Sequence, residues 1–147
     1  MNDRNSKDYL KNMETKRLCD ISKEDFIQLK DINKKFDGLC RKILYYINAS
    51  NYTDALFNVD KIYMSKYEFE DDVLLIHWVE DTIHDCPDGG ILGISMEHVY
   101  NNTWRDFIDE KYNKCMEHRY ESIRKQNEIQ EQNEREMLRK LKEKYGE

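Results

Sequence analysis

Histidine and cysteine come close in sequence twice in this chain, as His84-Asp85-Cys86 and as Cys115 followed by His118. Thiolate and imidazole are the donors that zinc prefers, and an i, i+3 spacing puts both on one face of a helix. His84, Cys86, Cys115 and His118 are therefore the candidate metal ligands. Zinc sites legible from sequence show tighter paired spacings, however, and Cys115 also fits an apolar helical stripe without a metal. Neither a metal nor a cofactor is expected. The loop from His84 to Gly90 adds two carboxylates and two glycines to the imidazole and thiol. A Cys/His pair can serve as nucleophile and base when a third group orients the base. Residues two apart in one loop do not meet that geometry, and Pro87-Asp88-Gly89 is the composition of a plain turn. Asp81, Asp85 and Asp88 lack the alternating spacing of a calcium loop. No phosphate-binding glycine loop and no Gly-x-Ser-x-Gly element is present. No residue is assigned a catalytic role, and the expected activity is non-enzymatic. Loops on a rigid sheet are good places to bind, so Asp81, His84, Asp85, Cys86 and Asp88, with Trp78 or Trp104 as a stacking surface, are the candidate ligand- or partner-binding residues.

Charge sharpens that choice. From Tyr52 to Asn102 eleven acidic side chains outnumber two basic ones, Lys61 and Lys66, giving −9 in a chain whose total is −6. A folded acidic surface fits a basic protein patch. Nucleic acid would need a basic face, and Arg124-Lys125 and Arg139-Lys140 are interleaved with glutamates, so nucleic acid is not an expected partner. The longest apolar runs, Val73 to Ile76 and Ile43 to Ile47, fall far short of the ~20 residues of a membrane span. The polar start at Met1 lacks the apolar core of a secretory signal, which places the chain in the cytoplasm. Four scattered cysteines read as reduced thiols.

The elements that must position these residues follow from periodicity. Residues 1 to 21 are expected to be a polar segment or a short helix. Ser22 and Asp25 form a capping box, and Ile21 with Phe26 a hydrophobic staple, so a helix starts at Lys23. Leu29, Phe36 and Ile43 repeat every seven residues, as do Ile32, Leu39 and Tyr46. This seam packs either on the chain's own sheet or, through Leu29, Ile32, Phe36, Leu39 and Ile43, on a second copy. The helix stops at Asn48. Leu56 to Val59 reads as a short strand, followed by a hairpin of Ile62 to Phe69 and Val73 to Val79. Both parities of the second arm are apolar, which predicts a central strand buried on both sides. Ile91 to Ile94 adds a strand and Ser95 to Tyr100 one helical turn. Thr103 and Asp106 cap a second long helix from Trp104 to Gly146. Its first half, through Ile123, carries the docking stripe Trp104, Ile108, Tyr112, Cys115, Tyr120 and Ile123. After a polar span, Met137, Leu138, Leu141 and Tyr145 form a terminal stripe that needs a partner surface. The expected fold is α+β: a small antiparallel sheet flanked by two long helices, the C-terminal one extended. Residues 22–123 form the domain and 124–147 a charged helical extension.

The acidic hairpin, the run from Ile94 to Trp104 and the Glu/Lys/Gln-rich helix ending at Tyr145 together resemble small accessory proteins of tailed phages and prophages. The resemblance covers residues 61 to 147. It implies a short protein acting in the cytoplasm of an infected bacterium and supplies no reaction. The leading expectation is thus a phage-type interaction protein, a host-takeover factor or an inhibitor of a bacterial defence system, homodimeric and bound to a host protein. The alternatives are a module that binds or sequesters a nucleotide-like ligand, and a metal- or thiol-dependent enzyme.

Overall fold

The computed structural model describes residues 20–81 and 87–146. Within them the order is α1 (Lys23–Ala49), α2 (Thr53–Phe57), β1 (Ile62–Glu70), β2 (Val73–Glu80), β3 (Gly89–Ser95), α3 (Met96–Tyr100) and α4 (Trp104–Tyr145). This is an α+β fold with a three-stranded antiparallel sheet in the order β1-β2-β3. No described helix is long and apolar enough to cross a membrane. The short helix expected before Ser22 falls on positions outside the described residues. Two compact units divide at Leu39 and Cys40, inside α1.

In the first unit α1 begins where its cap predicts. The Ser22 N–H donates to the Asp25 carboxylate at 3.0 Å, and the Asp25 N–H donates to the Ser22 hydroxyl at 3.0 Å. These bonds hold the Asp25 carboxyl below its ordinary pKa. The expected staple buries little, because Ile21 is 81% and Phe26 51% exposed. Phe26 instead carries the Lys30 ammonium 5.0 Å from its ring centroid. Leu29 and Ile32 are exposed, and Phe36 and Leu39 are half-buried.

The second unit owns the core. Cys40, Ile43, Leu44 and Ile47 of α1 are buried, as are Leu74, Ile76 and Trp78 of β2, Leu92 and Ile94 of β3, and Trp104 and Ile108 of α4. Each fully buried Ile or Leu contributes about 1.5–3 kcal/mol, so these side chains outweigh any surface ion pair here. Ile43 is a core residue, which removes it from the expected seam between copies: the heptad row continues into the domain interior. The Asn48 amide finishes the join, donating to the Ile62 carbonyl at 2.8 Å and accepting the Ile62 N–H at 3.1 Å. It thereby imitates a neighbouring strand at the start of β1.

Three expectations change. Leu56 to Val59 is not a strand: α2 occupies Thr53–Phe57 and stops at Asn58, whose φ of 57° ends it in the left-handed region. Phe57 lies 4.7 Å from the Trp78 ring, so the turn caps the sheet instead of extending it. Second, the Thr103 side chain makes no cap bond to α4. Its hydroxyl pairs with His98 Nδ1 at 2.9 Å, tying α3 to the start of the long helix. Third, α4 has no half-buried residue beyond Met116. Tyr120 and Ile123 are exposed, and the helix continues to Gly146, where a φ of 74° fits glycine at a C-terminal cap.

Candidate functional site

The sheet has two unlike faces, and a bulge makes them. In β1, Ile62 pairs with Glu80 and Met64 with Trp78, but after a register shift Lys66 pairs with His77 and Tyr67 with Ile76. One extra residue, Ser65, moves the alternation by one place. Ile62, Met64, Tyr67 and Phe69 therefore share the core face, although Ile62 and Tyr67 differ in parity. The opposite face collects Tyr63, Lys66, Glu68 and Glu70 from β1, Val73, Leu75, His77 and Val79 from β2, and Ile91, Gly93 and Ser95 from β3.

This second face is the less buried one. Val73, Leu75, His77 and Val79 are half-buried by their strand neighbours, while Ile91 is 55% and Tyr63 51% exposed. The expectation that β2 is buried on both sides is corrected here: it is central, but only Leu74, Ile76 and Trp78 are fully covered. An apolar row of Val73, Leu75, Val79 and Ile91 is left between acidic margins. Glu68 and Glu70 stand on one side, and Asp81 and Asp88 flank the loop at one end.

Two polar contacts fix the face. His77 Nε2 lies 2.6 Å from Glu68 Oε1, and that bond lowers the Glu68 pKa. His77 is thus hydrogen-bonded, and it is half-buried on the face of the sheet opposite the core. The Tyr63 hydroxyl bonds the Asp81 carboxylate, which raises the phenol's pKa above 10.0. Backbone bonds hold the loop's mouth: Glu80 N–H to the Asp88 carbonyl at 2.8 Å and Asp81 N–H to the Lys61 carbonyl at 2.8 Å.

Asp81 and Asp88 are exposed at the loop's ends, while His84, Asp85 and Cys86 lie outside the described residues. Trp78 and Trp104 are core side chains, 6% and 2% exposed, so neither offers a stacking surface to a ligand. Trp78 falls on the covered parity of β2, and Trp104 is in the first turn of α4, facing α1. Cys115 is half-buried and His118 exposed on α4. Among the described residues no three His, Cys, Asp or Glu side chains gather as a metal would require. A shallow cleft of about 420 Å³ is lined by Asn51, Thr53, Asp54, Asn58, Val59, Asp60 and Glu80. Its three carboxylates and lack of any lysine or arginine would repel a nucleotide's phosphates.

Sequence reasoning missed Tyr63, Leu75, Val79 and Ile91 as a shared surface. The signal was the double apolar parity of β2, which marks two usable faces without saying which one is covered. It also missed Asp109, a carboxylate inside the docked stripe of α4. Asp109 Oδ1 accepts the Tyr46 hydroxyl at 2.6 Å and the Tyr52 hydroxyl at 2.9 Å. Tyr52 stacks on Tyr112 with centroids 4.0 Å apart, and Arg119 donates to the Asp54 carboxylate at 3.1 Å. These contacts seat α4 against α1 and α2.

Burial and the Asp109 bond push the Tyr52 phenol up to about 12, and the Asp109 bond raises Tyr46. A raised folded-state pKa favours the fold while the phenol is neutral. The contribution is complete below the unfolded value of about 10 and is lost as pH climbs from 10 to 12. NMR of ring-labelled tyrosine should find Tyr52 titrating near 12, and earlier in Asp109→Asn. A Tyr52 that titrates at the ordinary tyrosine value of about 10 would contradict the arrangement. No protein-family model, curated protein or solved structure matches this chain.

Proposed function

We propose that this chain is a non-enzymatic interaction protein that binds another protein through the less buried face of its sheet. The carrying observation is the apolar row of half-buried Val73, Leu75 and Val79 with exposed Ile91, bordered by Glu68, Glu70, Asp81 and Asp88. An apolar strip with an acidic rim favours a partner that offers apolar anchors among lysines and arginines. Apolar burial would supply affinity, and the charges would supply encounter rate and orientation. The resemblance to phage accessory proteins supports a bacterial host protein as that partner, with host takeover or inhibition of a defence system as the outcome. The ligand-sequestering alternative finds no stacking surface in Trp78 or Trp104, which are both interior.

Capture from bacterial extract with the wild-type chain, Ile91→Asp and Glu70→Lys tests this reading. Both substitutions are at exposed positions and should leave the fold intact by circular dichroism. The wild type should retain a protein that Ile91→Asp loses and Glu70→Lys holds about tenfold more weakly, with affinity falling as salt rises. Retention unchanged by either substitution, or a nucleotide recovered with no protein, would overturn it.

A further inference from the structure

Beyond the sheet face, α4 presents a second surface with its own logic. From Met116 onward it leaves the core and runs to Tyr145 with no buried residue. Ion pairs along its own surface support it: Glu121 with Arg124 and Lys125, Glu131 with Arg135, and Glu136 with Arg139 and Lys140. Such pairs contribute only about 0.2–0.5 kcal/mol each, enough to favour a helix but not to hide apolar side chains. Yet Tyr120, Ile123, Met137, Leu138, Leu141 and Tyr145 remain 47–71% exposed.

Their spacing is that of a coiled-coil seam. Steps of four and three residues lead from Met116 through Tyr120, Ile123, Asn127, Gln130, Glu134 and Met137 to Leu141. The row is apolar at both ends and polar in the middle. A rod of about 38 Å at 1.5 Å per residue therefore carries a pattern that nearly reads the same in both directions.

We infer that two copies of α4 pair antiparallel over residues 116–141, making the chain a two-fold symmetric dimer. One register fits. Met116 then faces Leu141 of the second copy and Tyr120 faces Met137, so each end of the seam is apolar on both sides. Asn127 meets Gln130, two amides that can bond each other in the middle layers. Ile123 lies along the methylene stem of Glu134, whose carboxylate reaches the solvent edge. Beside the seam, antiparallel helices bring e positions against e positions, which sets Arg124 against Glu131 of the second copy twice over. Arg119 and Lys140 also become neighbours, but each already has an acidic partner on its own chain, Asp54 and Glu136.

The competing arrangements meet like charges. A parallel in-register pair would face Glu134 with Glu134 inside the seam. Sliding the antiparallel pair by one heptad would set Glu131 against Glu131. The symmetry of the pattern also selects a second copy over an unrelated helix, since the polar middle is matched only by another amide-rich span placed at the same distance from two apolar ends.

Light scattering should report twice the chain's 17.9 kDa at tens of micromolar, and Leu141→Lys should return it to a single chain with its helix content kept. Arg124→Glu or Glu131→Arg alone should weaken the dimer about fivefold to tenfold, and the two together should restore it. Cysteines placed at Tyr120 and Met137 in one chain should oxidise to a 120–137 link between copies, located by peptide mapping. A single-chain mass for the wild type, failure of the double charge swap to restore association, or a 137–137 link in place of the 120–137 link would overturn the assignment. These readouts need no host protein, so they are independent of the sheet-face test.

Discussion

Trp104→Ala is expected to lower stability by about 3–5 kcal/mol, the range for a buried large aromatic cut back to a methyl group. Trp104 is 2% exposed and forms the first turn of α4. Its ring meets Tyr46 edge-on at 5.6 Å, and the Arg105 guanidinium lies 4.2 Å from its centroid. Removing the indole leaves a hole where α4 meets α1 and unseats the ring of Tyr46, whose hydroxyl is held by Asp109. The loss thus spreads from packing to a hydrogen bond 2.6 Å long. Trp104→Phe should cost less, because most of the apolar volume remains. Tyr120→Ala, on the exposed part of the same helix, should stay within about 0.5 kcal/mol. Urea unfolding followed by circular dichroism measures all three. Equal losses for Trp104→Ala and Tyr120→Ala would show that α4 is not anchored through its first turn.

A pair of glycines three residues apart in β3 gives the second large effect. A Cβ on Gly90 would lie 2.5 Å from Trp78 Cζ2 and 2.8 Å from Cε2, far inside contact distance. The indole cannot swing clear, since Phe57 packs on it at 4.7 Å. Gly90→Ala should therefore cost about 1–3 kcal/mol through overpacking, with the tryptophan forced off its rotamer. Gly93 is the control on the other face: its Cβ would meet Val73 Cγ1 at 3.4 Å and Leu75 Cδ2 at 3.5 Å, which is ordinary contact. Gly93→Ala should change stability by no more than about 0.5 kcal/mol. Thermal unfolding of the two variants decides the matter. Similar midpoints would mean that the indole does not lie across Gly90. Among the described residues the Trp78 N–H has no hydrogen-bond partner, and the Phe57 ring packs on the indole.

These two results bear on function because they separate the scaffold from the surfaces. Trp78 and Trp104 looked like a flat platform for a ligand, and both are framework instead. Positions suited to binding are the less conspicuous ones, such as Ile91 on the sheet and Leu141 on the helical arm. A mutation that abolishes partner capture at Ile91 while leaving the urea midpoint unchanged would be a binding defect. One at Trp104 would report only on the fold.

Much of the architecture was legible because its determinants are local. Ser22 and Asp25 exchange bonds across one helical turn, so the start of α1 could be read from four residues. Gly146 after a long amphipathic run marks the end of α4 for the same reason. The hairpin was equally plain, since Glu70 and Val73 pair across a two-residue turn whose Asp71 has a φ of 52°. The α2 segment was misread because the four residues Leu56 to Val59 are too few to show a period, and the contact that decides it is Phe57 on Trp78.

The chemistry-bearing residues that first drew notice, the His84 to Asp88 loop and the Cys115–His118 pair, are fixed by sequence only as types and spacings. Sequence alone determined where the two long helices begin and end, where the hairpin turns, and that β2 lies in the middle of a hairpin-based sheet. Only the tertiary structure decided which side of each element is used. A strand's alternation is blind to which face gains a helix, and one bulged residue at Ser65 reverses it for half of β1. Likewise an apolar helical stripe looks the same whether it ends in a core, as at Ile43 and Ile108, or in solvent, as at Leu29 and Leu141. Burial depends on what lies opposite, and what lies opposite comes from residues far away in the chain.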